Sequence, residues 1–177
     1  SFGYAILINQ YHRNWNSLAE YKAPPGSPVT TVSVIIPVRN ESAHVRKLLS
    51  SLENQQFPKE RWEVILVDDF SDDDTLELAT PFLRSDRFSL RILCLKDLFP
   101  DSEGITAHKK KALTAGIEVA KGTLIVTSDG DCIFPERWLH TLVHFHERTG
   151  AKMIAAPVRM GPAETLIERF QSIDFLT

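Results

Sequence analysis

The chain has few cysteines, no long apolar run and no strong excess of charge. Its two cysteines among 177 residues, Cys94 and Cys132, match no metal-binding spacing. Both lie in or beside apolar runs, which predicts buried, reduced thiols in a cytosolic setting. A net charge of −3 argues against nucleic acid as a partner. No stretch reaches the ~20 apolar residues that a membrane-spanning helix requires.

Residues 1–28 are predicted to form a helical arm followed by a linker. Apolar residues dominate positions 2–8, and aromatic and basic residues follow at 11–15. This profile fits the end of a membrane helix at the lipid interface, and it fits a short surface helix equally well. The proline-rich segment 23–28 predicts the linker. Because both ends of the chain look cut, we expect a piece of a longer protein. If residues 1–8 are the end of a membrane helix, we expect that longer protein to be anchored at the cytoplasmic face of a membrane.

Residues 29–177 alternate strand and helix patterns, which predicts one α/β domain with a mostly parallel sheet flanked by helices. Apolar, β-branched runs predict strands at 31–37, 63–67, 90–95, 123–128 and 153–157. Apolar residues at helical spacing predict helices at 45–52, 76–83, 106–121, 138–145 and 163–176. The mixed segment 96–105 predicts an exposed loop.

Three local signals refine these helices. Ser42 is a candidate cap for the first helix, and the spacing of Ser71 and Asp74 resembles a capping box for the second. Pro81 is predicted to kink or shorten that second helix, because proline lacks the N–H that a helix interior needs.

Two predicted strands each end in a pair of aspartates. Asp68 and Asp69 follow one strand, and Asp129 and Asp131 follow another with Gly130 between them. Ligands of open α/β sheets bind where the carboxyl ends of the strands meet. Carboxylates gathered there repel one another unless a cation or hydrogen-bond donors compensate. The pattern therefore predicts a nucleotide and metal site, with Mg²⁺ or Mn²⁺ as the hard cation.

Structural alternatives exist for each of these features. Helix capping explains the acids after Phe70, but it does not explain Asp68 and Asp69, one of which would accept a hydrogen bond from a base while the other shapes the loop. A basic segment at 108–111 is either a solvated helix start or a source of positive charge near a diphosphate. Three histidines lack a zinc-site pattern and are interpreted as surface or flanking residues: His140, His144 and His146.

Several ordered motifs together resemble family 2 glycosyltransferases of the GT-A (Rossmann-like) fold. They are residues 32–41 (VSVIIPVRNE), 64–75 (VILVDDFSDDDT), 109–117 (KKKALTAGI), 120–122 (AKG) and 127–131 (TSDGD). The resemblance covers about residues 31–160. It implies a metal-dependent transfer of sugar, with inversion, from a nucleotide-diphosphate sugar to a hydroxyl of a glycan or lipid acceptor.

The resemblance also implies roles for individual residues. Four residues would border the nucleotide: Pro37, Val38, Arg39 and Glu41. Asp69 would contact the base, most often uracil in this family, and Lys109 would lie near the donor. Asp129 would approach the ribose or the metal, and Asp131 would bind the cation that bridges the diphosphate. His108 and Thr114 depart from the family's usual Gly and Asn, which leaves the donor preference of that segment open.

The family's catalytic base has no counterpart after Asp131 in this chain. Glu164, Glu168 and Asp174 lie in a helical pattern that does not match the motif, and the acceptor-side QxxRW segment is missing. We therefore expect a donor-binding half with little transferase activity alone. Two alternatives remain: a haloacid-dehalogenase-like phosphatase with Asp129 as nucleophile, and a non-catalytic module that binds nucleotide-sugar. The sugar, the acceptor and the oligomeric state stay open.

Overall fold

One parallel sheet forms the centre of the domain. The computed structural model describes residues 2–17, 21–99, 108–156 and 158, without the side chains of residues 2, 15, 16 and 108. Its four strands are β1 (Val32–Val38), β2 (Trp62–Asp68), β3 (Ser89–Cys94) and β4 (Leu124–Thr127). They lie in the order β3-β2-β1-β4, and every pairing among them is parallel. The strands β1 and β2 are almost wholly buried, as their continuous apolar sequences predict.

Helices lie on both faces of this sheet. They are α1 (Phe2–Ser17), α2 (Val45–Glu53), α3 (Thr75–Ala79), α4 (Leu95–Leu98), α5 (His108–Val119) and α6 (Trp138–Thr149). Short 3-10 turns occur at Lys59–Arg61 and Thr80–Arg84. The predicted α/β class and the four strand positions before residue 130 are confirmed.

Alternate residues of β1 face two separate cores. Val34 and Ile36 belong to the larger core, which includes the buried side chains of α2 and α6. Ile35 faces the other core, beneath Ala112 and Ala115 of α5. A Cβ at Gly116 would lie only 2.5 Å from Cγ2 of Ile35. The small-residue face predicted for α5 is therefore what allows this helix to lie so close to the sheet.

Both predicted helix caps are wrong. Helix α2 begins at Val45 rather than near Ser42, and its first turn is preceded by a bend in which the Glu41 carbonyl accepts the N–H of Val45 at 2.8 Å. Helix α3 begins at Thr75, and Asp74 makes no side-chain cap hydrogen bond. The Ser42 N–H and the Ser71 hydroxyl instead take part in hydrogen bonds between the two loops that precede the helices.

Other local predictions had mixed outcomes. The α-helical part of the second helix ends at Ala79 and continues as a 3-10 turn containing Pro81, so the predicted shortening is confirmed. No strand forms at 153–156, and residues 96–98 of the predicted loop belong to α4 together with Leu95, which was predicted to end the third strand. Residues 100–105 and the helix predicted at 163–176 lie outside the described residues.

The two thiols are free but only half-buried, so the prediction of buried cysteines was wrong. Cys94 lies opposite Asp68 in the pairing of β3 with β2. Burial, followed by the nearby negative charges of Asp68 and Asp97, raises the pKa of the Cys94 thiol above its ordinary value. This thiol is therefore held in its protonated, weakly nucleophilic form.

The linker before β1 lies along α6. His140 is buried and donates its Nε2–H to the Gly26 carbonyl at 2.9 Å. The Glu147 carboxylate accepts the N–H groups of Val29 and Thr30 at 2.8 and 2.7 Å. Burial works to raise the pKa of Glu147, but these hydrogen bonds and the neighbouring His144 outweigh it, so the pKa is lowered. Of the three histidines interpreted as surface residues, His140 instead fixes the linker.

Helix α1 leaves its apolar half exposed. Residues 3–7 are all exposed, and the large apolar side chains include Tyr4 (50% exposed), Ile6 (54%) and Leu7 (43%). Tyr4 and Leu7 lie within about 60° of each other around the helix, whereas Ile6 lies about 160° from Tyr4, because each residue turns by about 100°. No helix in the described part of the chain is both long enough and apolar enough to cross a bilayer.

A buried polar cluster closes the end of the sheet opposite the strands' carboxyl ends. Ser33 donates its hydroxyl to Glu63 at 2.7 Å, and Glu63 also accepts the Lys121 N–H at 2.7 Å. The Gly122 N–H donates to Ser33 Oγ at 2.8 Å. These bonds bring the turn before β4 against the backbone of β1.

We predict that Gly122→Ala destabilises the fold. The added Cβ would lie 2.3 Å from the Ser33 amide nitrogen and 2.4 Å from the Val32 carbonyl carbon, and backbone cannot move aside as a flexible side chain can. The expected loss in the free energy of unfolding is about 3 kcal/mol, measured by urea denaturation. Gly3→Ala is the matched control, because nothing lies within 4 Å of its added Cβ. Equal stability of the two variants would contradict the close approach.

Candidate functional site

A cleft opens where the order of the strands reverses. After β1 the chain moves to β2 and β3 on one side, and it then returns to β4 on the other side of β1. The chain therefore changes direction at the carboxyl ends of β1 and β4, and open α/β sheets bind their ligands at such a switch point. The cleft at this point has a volume of about 280 Å³.

The cleft gathers all the predicted site residues. Its lining in the described part of the chain is Pro37, Val38, Arg39, Glu41, Asp69, Lys109, Asp129, Gly130 and Asp131. These come from the loop after β1, the end of β2, the start of α5 and the loop after β4. Residues 69 and 131, more than 60 positions apart, thus face the same space. What each residue does there is taken up below as a proposal.

The two aspartates that end β2 have different environments. Asp69 is 5% exposed and lines the cleft, and its N–H donates to the Val38 carbonyl at 2.9 Å. Asp68 is 2% exposed and lies outside the cleft lining; its Oδ2 accepts the Ser71 N–H at 3.3 Å. Its Oδ1 is buried without a hydrogen-bond partner in the described structure. Asp68 thus contacts the backbone of the loop after β2, whereas Asp69 lines the cleft.

Gly130 is needed for close approach rather than for a special backbone angle. A Cβ at this position would lie 2.9 Å from Val38 Cγ1 and 3.2 Å from Glu41 Cγ. The turn that the Asp-Gly-Asp sequence suggested does not use a left-handed glycine, since Gly26 and Gly150 are the positive-φ glycines of the described chain. The missing side chain lets the loop after β4 contact the loop after β1.

A lysine compensates part of the negative charge in the cleft. Lys109 forms an ion pair with Asp129, and both side chains are more than half exposed. Glu41 Oε2 forms a hydrogen bond with His44 Nδ1 at 2.8 Å. An exposed ion pair contributes only about 0–1 kcal/mol, so a ligand can replace the Lys109–Asp129 pair at little cost.

The carboxylates suit a divalent cation that completes its shell with ligand oxygens. In the described structure no three His, Cys, Asp or Glu residues are grouped closely enough to hold a metal. Asp129 and Asp131 are both exposed in the cleft. Mg²⁺ commonly binds through one or two carboxylates, with waters and substrate phosphates as its other ligands. The donor set present therefore fits such an ion in the presence of a phosphate-bearing ligand.

The loops that carry these residues are joined by side chains that sequence reasoning missed. Asn40 and Phe70 both adopt left-handed backbone angles, with φ of 54° and 55°. Ser71, Asp73 and Thr75 accept hydrogen bonds from the backbone of residues 40–42. The available signal was the run of Ser, Asp and Thr, residue types whose side chains readily bind nearby backbone in turns.

The pKa of Asp73 is strongly lowered within this network. Hydrogen bonds, above all that from the Thr75 hydroxyl, lower the pKa of Asp73 from 3.8 to about 2. The N–H groups of Ser42 and Thr75 also donate to it, both at 3.0 Å. Each of these bonds favours the ionised form of the carboxyl.

The parallel sheet and the acidic cleft at its switch point define an α/β domain of the kind that binds ligands at the carboxyl ends of its strands. Comparison with known proteins then gives the family. The family model described as glycosyl transferase family 2 matches residues 33–173. The chain belongs to this family, and its fold is GT-A.

Similar proteins include glycosyltransferase AglE of Haloferax volcanii, with 32% identity over 148 residues, covering 82% of this chain and 46% of AglE. Dodecaprenyl-phosphate galacturonate synthase of Rhizobium johnstonii is 39% identical over 102 residues, covering 56% and 28%. Among solved structures, S. aureus TarS 1–349 in complex with UDP-GlcNAc has a TM-score of 0.56 and 28% identity, covering 75% of this chain and 37% of TarS 1–349. The chain thus spans less than half the length of these relatives. The family match favours a transferase over the phosphatase alternative.

We predict that the Asp73 carboxylate stabilises the fold above pH 4 and ceases to do so near pH 2. Because its pKa is lower in the folded chain than in the unfolded one, its contribution is fully present above 3.8 and is lost as the pH falls toward about 2. Asp73→Asn should therefore be less stable than wild type at pH 5, and the difference should narrow at pH 2. Urea denaturation at several pH values measures this.

Asp86→Asn is the control for this series, because Asp86 is exposed in the turn before β3. A difference between wild type and Asp73→Asn that stays constant from pH 5 to pH 2 would contradict the lowered pKa.

Proposed function

We propose that this chain is the donor-binding half of an inverting glycosyltransferase that uses a UDP-sugar. The supporting observation is the convergence of the eight predicted donor- and metal-binding residues on one cleft at the switch point of the sheet. Membership of glycosyl transferase family 2 supports sugar transfer. The 28% identical TarS fragment was solved with UDP-GlcNAc, which supports uridine as the nucleoside.

The cleft offers a partner for each part of such a donor. Asp69 is almost fully buried, so its carboxylate would accept a hydrogen bond from the base N–H without competition from water. Pro37, Val38 and Arg39 would border the nucleoside, and Glu41 would lie beside the ribose. Lys109 would place its ammonium against the diphosphate.

Asp129 and Asp131 would hold Mg²⁺ or Mn²⁺. When bound, such an ion stabilises the charge that develops on the departing diphosphate. The residues of the chain hold the donor in one orientation, which removes much of the entropic cost of the reaction. In the transfer itself an acceptor oxygen bonds to the anomeric carbon, the bond to the diphosphate breaks, and the acceptor proton passes to a base.

That base lies outside the part of the chain described here. Of the acids after Asp131 in the described structure, none lines the cleft, and Glu164, Glu168 and Asp174 lie beyond the described residues. We therefore propose that the 177-residue chain binds the donor but transfers sugar slowly by itself. Transfer at a rate typical of enzymes, about 10 per second, would refute this.

The acceptor is proposed to be a glycan or a lipid-linked phosphate. The Rhizobium relative is named for a dodecaprenyl phosphate, and TarS of S. aureus for a poly(ribitol-phosphate). Helix α1 favours a site of action near a bilayer at its cytoplasmic face. Its apolar residues are separated from its polar residues along the helix axis rather than across it, which suits insertion of one end into lipid more than a groove on a protein.

We predict that the chain binds UDP-GlcNAc or UDP in the presence of Mn²⁺ and that Asp131→Ala lowers this affinity at least about tenfold, equivalent to about 1.4 kcal/mol. The reason is the loss of a carboxylate that would share the cation with the diphosphate. Isothermal titration calorimetry with and without Mn²⁺ measures both affinities. Asp86→Ala is the control, since this exposed acid lies outside the cleft. Mn²⁺-independent binding that Asp131→Ala leaves unchanged would favour the non-catalytic module.

We predict that the chain sediments with vesicles of phosphatidylcholine and phosphatidylglycerol and that Ile6→Asp with Leu7→Asp abolishes this. The two charges would oppose burial of the α1 end in lipid. The control is Ile117→Asp, a 49% exposed apolar residue on α5. If the α1 variant still sediments with the vesicles, the membrane contact is refuted. It is also refuted if the wild-type chain forms a dimer without lipid and the α1 variant is monomeric.

A further inference from the structure

We propose that Thr75 and Asp73 are positioning residues for donor binding, which hold the loop after β1 in the conformation that brings Glu41 into the cleft. The proposal rests on the proposed function, because it concerns the same cleft. Neither residue lines the cleft, so both would act through the residues that do.

Three consecutive backbone N–H groups of the loop after β1 bind side chains of the loop after β2. The N–H of Asn40 donates to Ser71 Oγ at 3.0 Å, and that of Glu41 to Thr75 Oγ1 at 2.8 Å. The N–H of Ser42 donates to Asp73 Oδ2 at 3.0 Å. These groups precede helix α2, where backbone donors lack partners within the helix and must find them elsewhere.

Thr75 lies at the centre of this network. Its side chain is completely buried, and its hydroxyl donates to Asp73 Oδ1 while it accepts the Glu41 N–H. The ionised Asp73 therefore fixes the direction of the hydroxyl proton. The hydroxyl can then present only a lone pair to Glu41. One oxygen of Asp73 orients Thr75 in this way, and the other binds Ser42 directly.

A return contact makes the junction rigid in both directions. The Asp72 N–H donates to Asn40 Oδ1 at 2.9 Å, so each loop both donates to and accepts from the other. The left-handed angles of Asn40 and Phe70 are unfavourable for residues other than glycine. They persist because this network over-determines the backbone around them, as is common at binding sites.

The network affects both walls of the cleft through Glu41. The Glu41 side chain lies against Gly130, where an added Cβ would be 3.2 Å from Glu41 Cγ. Gly130 separates the two aspartates of the loop after β4. A displaced Glu41 would therefore disturb the nucleoside side of the cleft and the carboxylates at 129 and 131 together.

The test compares Thr75→Val with Thr75→Ser by calorimetry with UDP and Mn²⁺. Valine matches threonine in shape but removes the hydroxyl, which leaves the Glu41 N–H without its acceptor. We expect Thr75→Val to weaken UDP binding at least about tenfold, and Thr75→Ser to retain affinity within about threefold of wild type because it keeps the hydroxyl. Thr80→Val is the matched control, since the Thr80 hydroxyl bonds only within its own helix turn in the described contacts, to the Leu76 carbonyl at 2.9 Å.

A second pair of variants tests the proposal even if Thr75→Val does not fold. Asp73 is exposed, and Asp73→Asn replaces one of its two acceptor oxygens with an NH2 group, so the side chain can accept from Ser42 or from Thr75 but no longer from both. We expect it to weaken UDP binding about threefold to tenfold. Asp74→Asn makes the same change of charge one residue away, where the side chain makes no cap bond, and should bind UDP as wild type does.

The outcomes separate the two proposals. Wild-type affinity in folded Thr75→Val or in Asp73→Asn overturns the positioning role while the donor site stands. Equal losses in Thr75→Val and Thr75→Ser also overturn it, because the hydroxyl would then not be the cause. A wild-type chain that binds neither UDP nor UDP-GlcNAc overturns the proposed function, and the positioning role with it. Faster hydrogen exchange of the Glu41 amide in Thr75→Val, measured by NMR, supports the network directly.

Discussion

The pairing of β1 with neighbours on both sides determines where this protein can bind a ligand. Because β2 and β4 pair with opposite sides of β1, the chain runs from β1 to β2 and β3 on one side and then returns to β4 on the other side. The cleft lies at that reversal, where the loop after β4 contacts the loop after β1. Every polar group of the candidate site follows from this topology, because each lies within a few residues of a strand's carboxyl end or at the start of α5.

The acidic character of the cleft requires compensation before any ligand arrives. Among the described residues, the Lys109 ammonium pairs with Asp129, and His44 Nδ1 forms a hydrogen bond with Glu41. Next to the cleft, the buried Oδ1 of Asp68 has no hydrogen-bond partner in the described structure. Such a group costs stability, which is consistent with a binding site rather than with a loop selected for folding alone.

The sequence alone was sufficient for the four strands before residue 130 and for the residues that line the cleft, but it also predicted a strand where residues 153–156 form none. Apolar runs define β2 and β4, and the aspartates that follow these two strands can meet only at one edge of a parallel sheet. The sequence was insufficient where partners distant in the chain decide the structure. Ser42 and Asp74 have the residue types of helix caps, yet the Ser42 N–H is bound by Asp73 from another loop. His140 gives no hint of its bond to Gly26, 114 positions away.

The absence of a side chain at Gly130 constrains how this loop can change. Any larger residue there would have to push the loop after β4 away from the segment that carries Val38 and Glu41. A single substitution would therefore alter the width of the cleft. Neighbouring positions have no such restriction. A library that randomises residues 128–132 and is selected for retained binding should thus accept many residues at Ser128 and Cys132 but only glycine at position 130. This requirement is steric, and it is independent of the chemistry of the flanking acids.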